Sequence, residues 1–374
     1  MIENAQPLPG AGAFARAVAA TGEARLSWAE PAGLVSLSFV NAGLKMVTLG
    51  IYQFWGKTEV RKRIWTAVRI NGEPLEYTGT GKELFMGFLF VFGAVLIPLL
   101  LLSFVLSIAF GPAGSVIGQV IFFVFYLYLF GVGVYRAQRY RLTRTRWRGI
   151  RGNLAGSPWQ YGWTSLWTSM LVPFTLGWIY PWRATRLQKL TIDNMRFGDR
   201  AFSFEENAGP LYGRFIALWL GGLVCLVAGI AGMTAIVSTS MIKATAKQAA
   251  QLSPAGTLLT FALLFVLYLF AIVASSWYRA GQFNHFAAST SFEGTKLKGT
   301  MKGRRLLWLT ISNFLIVLFS FGVLTPIAQA RAARYFVENL QFDGPVPFDT
   351  IGQATADGTT QGEGLAQAFD FDAF

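Results

Sequence analysis

Thr48-Leu-Gly-Ile-Tyr-Gln-Phe-Trp-Gly-Lys-Thr-Glu-Val-Arg-Lys-Arg63 follows an apolar run, breaks at a glycine and ends in bases. The chain repeats the pattern as Thr175-Leu-Gly-Trp-Ile-Tyr-Pro-Trp-Arg-Ala-Thr-Arg-Leu-Gln-Lys189 and, more worn, as Ser320-Phe-Gly-Val-Leu-Thr-Pro-Ile-Ala-Gln-Ala-Arg331. A second signature trails each copy: Ile70-Asn-Gly-Glu-Pro-Leu-Glu-Tyr77, Phe197-Gly-Asp-Arg-Ala-Phe-Ser-Phe204 and Phe342-Asp-Gly-Pro-Val-Pro-Phe348. Asn71-Gly72 and Asp343-Gly344 suit a tight hairpin turn, whose central residues need positive φ. The predicted unit is an apolar helix, a glycine break, a basic helix and a small β-hairpin, written three times, and repetition on this scale decides the fold.

The surrounding chain is apolar: 53% of its 374 residues are hydrophobic, which places it outside the usual soluble composition. Residues 84–135, 215–242, 248–278 and 306–330 carry no charge, and a spanning helix needs only about 20 apolar residues. The sequence therefore predicts a mainly helical, polytopic membrane protein. Its net charge of +13 sits in short clusters beside the apolar runs. That is the pattern of cytoplasmic loops in the positive-inside rule, and no nucleic-acid module accompanies it. Seven arginines and no acid fall within Arg136–Arg151; facing the cytoplasm, such a segment meets anionic lipid, worth about 1 kcal/mol per basic residue.

Read in order, the chain divides into a disordered N-terminus (1–22), module 1 (23–82), a transmembrane helical hairpin (83–138), module 2 (139–208), a second hairpin (209–280), module 3 (281–348) and an acidic, mostly disordered tail (349–374). Ala24-Arg-Leu-Ser-Trp28 reads as a short strand. The repeat helices are expected over about Leu34–Gly50, Thr164–Gly177, with a kink at Pro173, and Leu306–Leu324. The first hairpin turns at Gly111-Pro112; the second runs about Phe215–Ser238 and Leu258–Tyr278, with Lys243 and Lys247 in its outer loop. Both flanks of every repeat helix are basic. If all basic segments are cytoplasmic, the repeat helices are re-entrant, four spans remain and both termini lie inside; if the repeat helices cross, there are seven. The charge rule favours the even count.

No enzyme constellation emerges, and the reading is of a non-enzyme without metal or cofactor. His285 is the single histidine and Cys225 the single cysteine. Gly79-Thr-Gly-Lys-Glu83 lacks both the first glycine and the final hydroxyl residue of a phosphate loop. Acids inside apolar runs, which a proton relay needs, are missing.

Laid side by side, Thr48-Leu-Gly-Ile-Tyr52, Trp55, Lys57, Arg61-Lys-Arg63, Arg144-Thr-Arg-Trp-Arg-Gly-Ile-Arg151, Gly156-Ser157, Trp159, Tyr161 and Leu176-Gly177 resemble the YjgN-type bacterial inner-membrane proteins, a domain-of-unknown-function family. The resemblance runs from about Leu26 to Phe348 and departs at Gln53-Phe54, where the family's usual pair is a small residue and proline. It implies an integral protein of the bacterial cytoplasmic membrane and no known reaction.

Interrupted apolar segments at corresponding positions of internal repeats are the usual pointer to a transporter binding site. They nominate a path for a small solute or lipid along Asn41, Thr48, Gly50, Tyr52, Thr168, Thr175, Gly177, Tyr180, Pro181, Asn313, Thr325 and Pro326, with Asn41, Thr168 and Asn313 in one aligned slot. The competing reading is that these residues cap helices. Trp55, Lys57, Arg61, Arg63, Arg144, Arg146, Trp147, Arg148, Arg151, Trp182 and Arg183 are candidate contacts for anionic lipid or a partner protein. They would serve the alternative function, a non-catalytic membrane scaffold.

Overall fold

The computed structural model describes residues 24–243 and 254–353. The expectations for 1–22, for Lys247 and for the tail beyond 353 lie outside the described residues. The chain is mainly helical and forms two compact units, one of Met1–Asn207, Phe286–Thr300 and Ser312–Phe374, the other of Ala208–His285 and Met301–Ile311.

The first unit opens with β1 (Leu26–Trp28), α1 (Leu34–Val47), α2 (Gln53–Ala67) and the short strands β2 (Val68–Ile70), β3 (Glu73–Pro74) and β4 (Glu76–Tyr77). Ile70 pairs Glu73 across Asn71-Gly72, both at positive φ, while β1 pairs β2 on the other side. Next comes α3 (Gly81–Val91), which begins with an N-cap: Thr80 Oγ1 accepts the Glu83 N–H at 3.4 Å. The Gly79–Glu83 segment is thus a helix start. A π-helical turn, Phe92–Leu96, leads into α4 (Ile97–Arg144).

A straight helix would put Ser103 and Gly118 about 22 Å apart, yet Ser103 Oγ donates to Gly118 O at 3.2 Å and Ser107 meets Ser115 at 2.8 Å. The helix folds back at Gly111, whose φ of 58° and ψ of −136° are open to glycine. Gly81–Arg144, Gly209–Thr234 and Thr257–Ala288 are the described stretches long and apolar enough to cross a membrane. Since the first folds back, they supply four apolar arms.

Beyond α4 the unit continues through β5 (Thr145–Trp147), β6 (Ile150–Leu154), α5 (Pro158–Phe174), α6 (Tyr180–Ile192), β7 (Met195–Phe197) and β8 (Arg200–Phe204). After the second unit's helices it resumes with β9 (Thr290–Phe292) and β10 (Thr295–Gly299), and ends with α10 (Thr325–Glu338) and β11 (Leu340–Phe342). Strands β4 to β11 form one antiparallel sheet in strict chain order.

Several sequence expectations shift. Arg144–Arg151, read as a basic cluster, is largely the β5–β6 hairpin with Arg148-Gly149 at its turn, and a further hairpin turns at Glu293-Gly294. Phe342–Phe348 forms no hairpin. Phe342 pairs Leu297 of β10, and a returning strand would need N–H donors at Pro345 and Pro347; the chain instead enters a short 3-10 turn, Phe348–Thr350. The tail boundary also moves, because Ile351 is buried and Gly352 exchanges backbone and side-chain bonds with Asp199. Helix α5 starts six residues before the expected Thr164, at a Ser157 cap followed by Pro158. Pro173 stands one residue from the end of α5, so almost no helix lies beyond it to kink.

Two apolar clusters position the site. Leu34, Val60, Ile64, Ala330 and Ala333 join α1, α2 and α10. Tyr135, Leu154, Tyr161 and Leu187 join α4, β6, α5 and α6. In the second unit, α7 (Gly209–Lys243) and α8 (Pro254–Ala288) pack antiparallel. Gly221, Gly229 and Gly232 receive Phe270, Leu267 and Leu263, the close approach that small residues allow between membrane helices.

Candidate functional site

The three glycine breaks are one backbone structure. Gly50, Gly177 and Gly322 each donate to the carbonyl five residues back, at Lys45, Val172 and Val317. Leu49, Leu176 and Phe321 just before them are left-handed, with φ near 50°. This is the Schellman end of a helix, with a bulky apolar residue where glycine is usual. Thr48, Thr175 and Ser320 then cap the following turn, accepting from the N–H of Tyr52, Ile179 and Leu324 at 2.9, 3.4 and 3.1 Å. Thr48 and Thr175 therefore act within the backbone. Thr325 Oγ1 likewise bonds Gly322 O at 2.6 Å.

A left-handed non-glycine residue costs roughly 1–2 kcal/mol, and these face outward: Leu49 is 94%, Leu176 68% and Phe321 96% exposed. Each break thus ends in an apolar tip, with bases set back along the second arm.

The aligned polar slot holds arms together. Asn41 Nδ2 donates to Gly56 O at 3.4 Å, and Asn313 Nδ2 to Ala328 O at 3.0 Å. Arg331 Nη1 donates to Asn313 Oδ1 at 2.8 Å. Thr168 is fully buried and bonds Thr164 O within its own helix. In that module the link comes from Arg183, whose Nη2 donates to Ser165 and Ser169 at 3.2 and 3.0 Å; burial lowers its pKa from the ordinary guanidinium range. Tyr180 is exposed at the start of α6, Pro181 is buried beside it, and Trp182 packs on Trp167.

Of the candidate solute path, the fold gathers one part. A cavity of about 540 Å³ lies where α1 and α2 meet the third break and α10. Asn41, Gly50, Tyr52, Thr325 and Pro326 line it, joined by Lys45 and Lys57. Met46, Leu49, Phe321 and Val323 supply apolar wall, and Asn41 Oδ1 is shielded from solvent without a hydrogen bond. The size suits a small-molecule or lipid ligand. Thr168, Thr175, Gly177, Tyr180 and Pro181 do not reach this cavity. Helix α5, which carries Thr168 and leads into the second break, packs on α4, with Gly131 against Ser165 and Gly162 against Val132. Lys45 was not among the sequence candidates; its position one turn before the glycine break was the available signal.

Several of the candidate lipid-binding bases are engaged by other groups of the chain. Arg63 bonds the carbonyls of Ala32 and Gly33. Arg144 pairs with Glu83 at 2.8 Å, and Glu83 also accepts from Tyr140. Arg148 holds Glu73 at 2.6 Å and Asp349 at 3.0 Å, and its bond to Glu73 raises its pKa. Trp147 is buried under Phe348 and Phe197. Arg61 and Arg146 each carry a solvent-shielded nitrogen, and the Arg151 N–H bonds the Gln353 side chain. Trp55 lies partly exposed against Phe85. Among the described residues no cluster of three or more His, Cys, Asp or Glu is placed to hold a metal ion.

Comparison with known proteins agrees with the membrane character. The inner membrane protein YjgN of Salmonella typhimurium (strain LT2) is 36% identical over 67 residues, 18% of this chain. That match spans only 17% of YjgN's own length. No solved structure matches the chain. The family described as "Bacterial protein of unknown function (DUF898)" matches residues 30–368, nearly the whole chain. With its apolar arms and its YjgN-type motifs, the chain is a membrane protein belonging to the DUF898 family.

Proposed function

We propose that this protein is a multi-pass inner-membrane protein that binds an anionic amphiphile, lipid or lipid-like solute, between its first and third broken helix pairs. The observation that carries the reading is the cavity of about 540 Å³, which sets Lys45 and Lys57 beside an apolar wall of Met46, Leu49, Phe321 and Val323. An acidic head would meet the lysines and an acyl chain the wall.

The topology that goes with it has four apolar arms crossing and three repeated helix–break–helix units dipping into the cytoplasmic leaflet, with both termini inside. The shared Schellman ends and exposed apolar tips support the repeats and their insertion, since an outward Leu or Phe in a strained conformation gains from acyl chains what it loses in water. The scaffold reading is weaker: Arg144 and Arg148 have internal carboxylate partners, and Trp147 is covered.

The test is native mass spectrometry of the full chain released from nanodiscs containing equal phosphatidylglycerol and phosphatidylcholine. The expected result is preferential retention of phosphatidylglycerol, lost in Lys45→Gln/Lys57→Gln. Equal retention of both lipids, or an unchanged preference in the double variant, would refute the reading. Retention lost only when Arg146 and Arg151 are neutralised would favour the scaffold.

A further inference from the structure

From Ala208–His285 and Met301–Ile311, the second unit, we infer a separate site for an anionic phospholipid, one of net negative charge, built around Arg214. This inference stands independently of the cavity between the first and third breaks. Arg214 lies five residues into α7 and borders two cavities. The larger, about 570 Å³, is lined by Leu218, Phe270, Ala274, Trp277, Met301 and Gly303 among others. The smaller, about 220 Å³, also holds Pro210, Leu211 and His285. The guanidinium crosses α8 at Gly281, where a Cβ would sit 2.3 Å from Nη1. A side chain there would push the guanidinium from this seat.

Three facts make it an anion site. Residues 208–285 and 301–311 contain no Asp or Glu, so no carboxylate of this unit can neutralise Arg214. Among the described residues, the structure records no hydrogen bond or ion pair to its guanidinium. Finally, α9 (Gly303–Phe319) begins at the same cavity with Lys302, Arg304 and Arg305 around its first turn and no acid there. Cations are the wrong sign for the positive end of a helix dipole, whereas an anion there suits both the dipole and the positive charge around the first turn.

The fold holds this arrangement in place. Asn284 Nδ2 donates to Met301 O at 2.9 Å, and Met301 N donates to Asn284 Oδ1 at 2.8 Å, tying the entry of α9 to α8. Gly303 packs on Trp277. The ligand chemistry is therefore a phosphate at Arg214 and the start of α9, with its acyl chain along Leu218, Phe270, Ala274 and Trp277. The apolar wall selects a lipid over free phosphate.

The experiment uses the full chain in phosphatidylcholine nanodiscs carrying trace phosphatidylglycerol with a photoreactive acyl chain, and the adducts are mapped by peptide mass spectrometry. Adducts are expected on the Leu218 and Phe270–Trp277 segments. They should fall about tenfold in Arg214→Gln, the effect of losing one charge-assisted contact, and persist in Arg214→Lys. Gly281→Ala, which keeps every cavity side chain but displaces the guanidinium, should also lower labelling and carries the test if Arg214→Gln does not accumulate. Equal labelling by photoreactive phosphatidylcholine, or labelling indifferent to both Arg214→Gln and Gly281→Ala, would overturn the proposal. So would abolition of labelling by millimolar inorganic phosphate, which would identify a water-soluble ligand.

Discussion

The three tips can be measured in depth. Counting from the break to the first base on the second arm, Gly50 to Lys57, Gly177 to Arg183 and Gly322 to Arg331, helix rise gives about 10, 9 and 13 Å. The hydrocarbon core is about 30 Å thick, so tips anchored by those bases reach mid-leaflet and stop short of the centre. Burying a Leu or Phe there yields about 1.5–3 kcal/mol each, enough to offset the left-handed strain. Single cysteines at Leu49, Leu176 and Phe321 in a Cys225→Ser background, labelled with bimane, should be quenched best by nitroxides at intermediate acyl positions. A label at Asn71 should be quenched only by headgroup probes. Reaction of any tip cysteine with an impermeant reagent applied from outside intact membranes would refute the insertion reading, as would quenching no deeper than at Asn71.

Other consequences are more local. Asn313→Leu leaves Ala328 O and an Arg331 N–H without their partner, so the thermal midpoint should drop by about 5–10 °C, read by scanning fluorimetry in detergent. Gly162→Val would place a Cβ 2.4 Å from Val132 Cγ2 and 3.1 Å from the Tyr128 carbonyl, and overpacking of about 1–3 kcal/mol should appear as a lowered midpoint. Gly198→Ala combines a φ of 60° with a Cβ 2.2 Å from Gly352 O, so limited proteolysis should clip the chain after Phe348 faster than in the wild type. Glu73→Gln removes a partly exposed partner of Arg148 and should shift stability by less than about 1 kcal/mol.

Much of the fold was legible because it rests on local chemistry. Thr48-Leu-Gly50 and its two relatives announce helix ends, and Asn71-Gly72 announces a turn; both are short-range conformational demands. Trp147-Arg-Gly-Ile150 and Phe292-Glu-Gly-Thr295 carry a turn signal too, but it hides in the first case among arginines that look like a lipid-facing cluster. Which break meets which could not be read. The contact of the first with the third depends on Leu34, Val60 and Ile64 finding Ala330 and Ala333, a pairing that no periodicity encodes. The same holds for Arg148, whose carboxylate partners lie 75 and 201 residues away.

The strict chain order of β4 to β11 bears on biogenesis. Each hairpin needs only the strand made just before it, so the sheet can grow at one edge as the ribosome delivers successive segments, alternating with helices handed to the bilayer. The last strand, β11, completes the edge beside β10 once the helices between them have been made. A chain stalled after any hairpin would hold a shorter but internally complete sheet, and vectorial synthesis would leave few open edges exposed to neighbouring nascent chains.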